Sequence, residues 1–233
     1  MIRLLPLLLL VAAAIVYART LAWRTARELD RNSVELADPG LRTALARLAE
    51  ALEIPRIRVH LYEVPAINGL ASHDGRIFIT RGFYERFRAG QVTAEEMASV
   101  VAHELGHVAL GHSRRRMIDF TGQNAVRMGL ALVLGRLLPG LGVWIAQGLV
   151  SLLAAGLSRR DEYEADAYAT ALLIKAGIGA GPQKSLFRKL GAMAGHGAQA
   201  PAWLLTHPRT EERIRAIEAN EARWLRTSPD APA

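Results

Sequence analysis

TAEEMASVVAHELGHVALGH, from Thr93 to His112, is the stretch on which the reading of this chain turns. Thr93 with Glu96 makes a capping box. The hydroxyl accepts from the amide three residues on, the glutamate reaches back to the cap amide, and a helix begins. The apolar pattern carries that helix through His112. Successive residues turn about 100° and rise about 1.5 Å, so His103 and His107 sit one turn apart on one face, about 40° apart in azimuth. Two imidazoles so related converge on one divalent ion at the distances zinc needs. Glu104 projects beside that face, placed for a water at the ion rather than the ion itself, as a general base. Two hydrogen-bonded histidines on an ordinary helix are the plainer reading, which has then to account for the rest of the chain.

A hydrolytic zinc site takes a third protein ligand and keeps one position for water. The 233 residues include no Cys, which excludes thiolate ligands, thiol catalysis and disulfide frameworks. The third donor is then a histidine or a carboxylate. SRRDEYEAD, from Ser158 to Asp166, supplies carboxylates. Glu162 and Asp166 share a helix face, whereas Glu164 lies about 200° from Glu162 and faces away. That face can offer Glu162 to the metal and Asp166 to a ligand histidine, fixing its tautomer. A solvated helix with Arg–Glu pairs is the plainer reading here too. His112 is about 180° from His103, out of reach of the same ion on a straight helix, and reads as a packing or hydrogen-bonding residue. His60, His73 and His196 carry no signal. His207, held by Pro208 before the last helix, is a candidate to assist at the metal, although spacing alone does not place it there.

The surroundings read as one domain. The chain is 51% hydrophobic and 22% charged, too apolar for intrinsic disorder. Its net charge is +7, but the arginines are dispersed, clustering only at Arg114 to Arg116 and at Arg159-Arg160. With no aromatic interleaving and no zinc-finger spacing, nucleic acid is set aside in favour of solubility or an anionic membrane surface. After Met1-Ile2-Arg3, the apolar run Leu4 to Ala18 has the length of a signal-peptide core. Extended through Trp23, with Arg19 snorkelling, residues 1–23 read as a retained anchor; cleavage after Val16-Tyr17-Ala18 is the alternative. Arg19, Arg24, Arg27 and Arg31 bias the rest of the chain towards the cytoplasm.

Asp38-Pro39 opens a helix with Leu41, Leu45, Leu48 and Leu52 on one face. Strands are expected at 57–62 and 76–80. Further helices run to Lys175, from Pro182, and over about 210–225. The fold class is α+β, mostly helical with a small sheet, over 24–226, followed by a disordered tail at 227–233. Between the two motifs, 117–158 is rich in Gly and Leu, and Leu137 to Leu157 has only Gln147 as a strongly polar residue. Ligands on either side must meet on one face of a bilayer, so any crossing comes in pairs. The partner span would hold Asp119, Gln123, Asn124, Arg127 and Arg136, and a central charge costs about 2.5–3.5 kcal/mol. A buried or membrane-surface helical hairpin, placed to cover the cleft, is therefore expected; a pair of spans is the alternative.

Taken in order, Ile67-Asn68-Gly69 with Gly75 to Gly82, HELGH with His112, Ser158-Arg159 with Glu162 to Asp166, and His207-Pro208 with Glu212-Arg213-Ile214 resemble the M48 family of zinc metallopeptidases over about residues 40–220. The resemblance implies a zincin-like domain behind an N-terminal hydrophobic helix. It implies one Zn²⁺ per chain on His103, His107 and Glu162, Glu104 as catalytic base, and Asp166 behind a ligand histidine. It brings His207 to the metal or the transition state, in a stabilising or a latency role, with Arg213 as companion. Gly69 stands where the family usually has Ala, a change expected to affect packing little. The strand Ile77, Phe78, Ile79, Thr80, with Asn68 before it, is the candidate edge for holding an extended, unfolded or damaged polypeptide by β-addition. The implied function is a metalloendopeptidase of membrane or envelope protein quality control. The resemblance favours the periplasmic side, and the charge bias the cytoplasmic one. The alternative is a non-catalytic, zinc-stabilised, membrane-tethered chaperone or adaptor. Glu104 separates the two, because a structural site does not need it.

Overall fold

After a helix over 23–31 (α1) and a short strand Ser33–Glu35 (β1), Asp38 opens α2 (Pro39–Ala51). Its carboxylate accepts from Gly40 N at 2.7 Å, and Pro39 fills a position whose amide needs no partner. Leu41 and Leu48 are buried along one side of α2. The computed structural model describes residues 16–17, 19–20, 23–72, 74–112, 127–195, 201–207 and 210–227. Most of the expected anchor, the expected tail beyond 227, residues 113–126, His73 and His196 lie outside them.

Strands β2 (Val59–Tyr62), β3 (Gly69–Ala71) and β4 (Ile77–Thr80) complete a mixed sheet of order β1-β2-β4-β3. β2 runs parallel to β4, with Val59 opposite Ile77. β3 returns antiparallel on β4, with Gly69 opposite Ile79. This corrects the expected substrate edge: Ile77, Phe78, Ile79 and Thr80 are all buried in a strand paired on both sides. A run without polar alternation is what a strand covered on both faces requires. The outer strand on this side is β3.

Helix α3 (Arg81–Arg88) leads to α4 (Ala94–Ala109), whose capping box is complete: Thr93 N donates to Glu96 Oε2 at 2.8 Å and Glu96 N to Thr93 Oγ1 at 3.2 Å. α4 does not reach His112. Leu110 caps it and Gly111 takes φ +67°, the left-handed conformation that glycine adopts without steric cost. The chain turns there, and His112 swings back towards the helix it was expected to extend.

A helix over 127–137 (α5) and a tight turn precede α6 (Gly142–Lys175), 34 residues long. Next come α7 (Gly181–Gly195), α8 (Ala202–Thr206) and α9 (Thr210–Thr227). The fold is mostly helical with a small mixed sheet. α6 packs on α4, α9 and α2 through its second half, where Ala165, Ala169, Leu172 and Leu173 are buried. A Cβ on Gly106 would lie 3.0 Å from Ala165 O and 3.1 Å from Ala165 Cα, so the glycine of HELGH sets how closely α4 and α6 cross. Of the two hairpins expected, buried or membrane-surface, the first half of α6 and α5 do not form the buried one. Leu132, Leu137, Trp144 and Leu152 are 69–76% exposed, because the packing partners of α6 gather at its other end.

Candidate metal centre

The α4–α6 crossing brings four side chains together. His103 Nε2 and His107 Nε2 are 3.1 Å apart. Glu162 places Oε2 3.5 Å from the first and Oε1 3.5 Å from the second. His207, just after α8, puts Nδ1 3.4 Å from His103 Nε2 and 2.5 Å from Glu162 Oε2. All four residues are buried, and one donor atom from each lies within 4.8 Å of all the others.

Each helical histidine is held from behind. His103 Nδ1 donates to Asp166 Oδ1 at 3.0 Å. Arg213 of α9 clamps Asp166 through Nε at 2.6 Å and Nη2 at 2.7 Å, and donates from Nη1 to His207 O at 3.1 Å. Its guanidinium lies over the rings of Phe187 and Trp203, and Trp203 packs on His207 with centroids 5.0 Å apart. His107 Nδ1 meets His112 Nδ1 at 2.8 Å, and His112 Nε2 faces Glu164 Oε2 at 3.3 Å and Asp161 Oδ1 at 3.8 Å. Sequence reasoning turned Glu164 away from the ion, and it does stand behind rather than at the cluster. It missed the contact with His112, whose only advance signal was Gly111 as a helix stop.

The donor set fits a cation. With both Nδ1 atoms engaged outward, both Nε2 lone pairs and the Glu162 carboxylate point at one another. Donors about 2 Å from a tetrahedral zinc are spaced about 3.3 Å apart, close to the separations here. Glu104, 2% exposed, is outside the ligand group, and its Oε1 is buried without a hydrogen-bond partner.

The electrostatics agree. Burial opposes charge on His103, but hydrogen bonds to Asp166 and Glu162 outweigh it and raise its pKa from 6.5 to about 9. Burial also disfavours the Glu162 carboxylate, yet His103 and His207 hold it well below the ordinary range. In the absence of metal, a proton on His103 balances the anions. A raised folded-state pKa stabilises below the unfolded value and loses that contribution as pH rises through the folded one. Metal-stripped protein should therefore lose roughly 3 kcal/mol between pH 6.5 and 9, read by thermal unfolding in chelator. A flat profile across that window would contradict the assignment. Zinc must displace the same proton, so its affinity should climb over the same range.

His112→Leu leaves the buried His107 Nδ1–H without its acceptor. Lost outer partners of this kind typically cost 10–100-fold in metal affinity. Chelator competition should show that loss, with His112→Asn, which restores an acceptor, recovering much of it.

Thr80 Oγ1 donates to Ala66 O at 2.6 Å and accepts from Asn68 N at 2.9 Å, tying down the loop before β3. Gly69 is less neutral than expected. A Cβ there would lie 2.5 Å from Val100 Cγ1 and 3.8 Å from Glu104 Cγ, so β3 passes directly over the Glu104 turn of α4.

A histidine pair on one helix, a carboxylate from a second, and a buried glutamate beside them, its Oε1 3.7 Å from His207 Nε2, have the makeup of a metallohydrolase centre. The Peptidase family M48 profile matches residues 35–221, and the chain belongs to that family. It is similar to the metalloprotease LoiP of Escherichia coli, 28% identical over 207 residues, covering 85% of this chain and 78% of the relative. It is also similar to a putative beta-barrel assembly-enhancing protease of Vibrio cholerae, 29% identical over 154 residues, 64% of this chain and 31% of the relative. The mitochondrial metalloendopeptidase OMA1 of Schizosaccharomyces pombe is 29% identical over 168 residues, 72% and 46% of the two chains. The chain thus spans less than half of the last two. Membership makes it a metalloendopeptidase.

Proposed function

We propose that this chain is a zinc-dependent endopeptidase that cleaves unfolded or damaged polypeptide at a membrane, in envelope protein quality control. The observation that carries the reading is the convergence of His103, His107 and Glu162 beside the buried Glu104, whose Oε1 makes no hydrogen bond and lies 3.7 Å from His207 Nε2. His103, His107 and Glu162 would hold the ion, which when bound supplies a lowered water pKa and a polarised scissile carbonyl. Glu104 takes the proton of the attacking water and returns it to the departing amide nitrogen. Asp166 and Arg213 keep His103 in register, and His112 does so for His107. β3, with β4 on one side, replaces β4 as the edge that aligns an extended substrate over the Glu104 turn.

His207 supports a further step. With Nδ1 among the other donors, it would complete a fourfold set and leave water no place, a latent resting form. Displaced by substrate, it is available to donate to the carbonyl oxygen as that oxygen gains charge.

The test is metal analysis with a cleavage assay on an unstructured fluorogenic peptide. One zinc per chain, lost in His103→Ala, and cleavage by the native chain are the expected results, with His207→Ala raising cleavage where its blocking of the water position dominates and lowering it where its donation to the carbonyl oxygen does. Zinc bound one to one with no cleavage by either the native chain or His207→Ala would favour the non-catalytic adaptor.

A further inference from the structure

We propose that the turn joining α5 to α6 is a lipid-inserting tip, which enters one leaflet of an anionic bilayer and does not cross it. This rests on the reading of the chain as membrane-associated, and names the surface that makes the contact.

The first observation is exposure without a partner. Leu137, Leu138, Leu141, Val143 and Trp144 are consecutive large apolar side chains around the turn, and all are exposed. Leu132, Leu149 and Leu152 extend the same surface back along both helices. Among the described residues of this hairpin, Ala146 and Val150 are the buried apolar ones. A contiguous apolar surface of this kind on a folded domain marks a protein or membrane contact.

Charge selects between them. From Phe120 to Arg160 the sequence contains no Asp or Glu, and its charged residues are Arg127, Arg136, Arg159 and Arg160. All four are exposed. An apolar tip with Trp144 near its apex and arginines along its flanks fits lipid acyl chains beneath anionic headgroups. Arg136, immediately before the tip, has the long stem needed to reach back to the phosphates.

Length decides the depth. Arg127 lies ten helical residues before Leu137, about 15 Å, so a tip that crossed the ~30 Å hydrocarbon core would bury that charge about midway. The hairpin therefore dips in and returns on the same side, as the metal centre requires of the segment between its ligands. Arg127 Nη1 donates to Gln147 Oε1 at 3.3 Å, tying α5 to the first half of α6. Trp144 and Glu162 lie on one helix, 18 residues and about 27 Å apart along its axis. Docking of the tip would hold the metal centre at a set height over the lipid.

The absence of cysteine gives a clean test on the full chain. Leu141→Cys carries an environment-sensitive fluorophore, and Val34→Cys, exposed on β1, is the control. Vesicles contain phosphatidylglycerol, or phosphatidylcholine alone, with and without nitroxide-labelled lipid. The expected result is a blue shift at position 141 with phosphatidylglycerol, quenched by nitroxide lipid and reduced by Arg136→Glu, with no change at position 34. An aqueous label at 141 on a chain that floats with the vesicles overturns the tip and leaves membrane association standing. A chain that neither floats nor shifts overturns both. A blue shift that nitroxide lipid does not quench replaces lipid with a second copy of the chain.

Discussion

Replacing Glu104 with Gln should abolish peptide hydrolysis and leave the metal in place. Glu104 is buried, its Oε1 lacks a hydrogen-bond partner, and it is not among the four side chains whose donor atoms cluster. The polar neighbour of that oxygen is His207 Nε2 at 3.7 Å, beyond hydrogen-bond reach, and the amide of Gln has nearly the same shape, so the fold has little to lose. What disappears is the proton acceptor. General-base transfer of this kind is worth about 10²–10⁴ in rate, and a fall of that size in kcat at unchanged zinc content is the expected outcome. Cleavage that persists at native rate in Glu104→Gln would remove the base from the mechanism; loss of zinc would make Glu104 a ligand instead.

Arg213→Met should be the most destabilising single change near the site. Arg213 is 1% exposed and Asp166 fully buried, and the two are joined by paired hydrogen bonds of 2.6 and 2.7 Å. The Arg213 charge and hydrogen bonds outweigh burial in keeping Asp166 ionised. Removing one partner leaves a charge in the interior, at a cost of about 3–5 kcal/mol. For a chain of this size, that corresponds to a fall in Tm of about 6–20 °C. The double variant Arg213→Met with Asp166→Asn removes the stranded charge and should recover part of the loss, so the two effects should not add. Additive losses would show that the pair is not coupled.

Local signals in the sequence carried the scaffold of the site. Asp38-Pro39 and Thr93–Glu96 mark helix starts because caps are satisfied within a few residues. HELGH marks a metal face because i and i+4 share one side of a helix. What escaped depended on partners distant in sequence. β4 read as an edge because nothing within four residues reveals that β3 folds back on its far side. Arg213 was named only through the family resemblance, because it sits in a segment as charged as any solvent-facing helix, and its burial comes from distant partners, Asp166, Phe187 and Trp203. His112 was drawn on a straight helix, whereas Gly111 ends the helix and makes it the neighbour of His107. Whether the hairpin lay inside or on a membrane surface stayed open, because apolar composition alone does not say what covers it; the buried residues of α6 gather in its second half.

The dependence of Asp166 on α9 has a consequence during synthesis. α4 and α6 leave the ribosome first, bearing the imidazoles and the carboxylates, while the guanidinium that neutralises Asp166 is still to be made. Until the final helix has been translated and docked, Asp166 lacks its paired hydrogen bonds from Arg213, so the support behind His103 is completed only as synthesis ends.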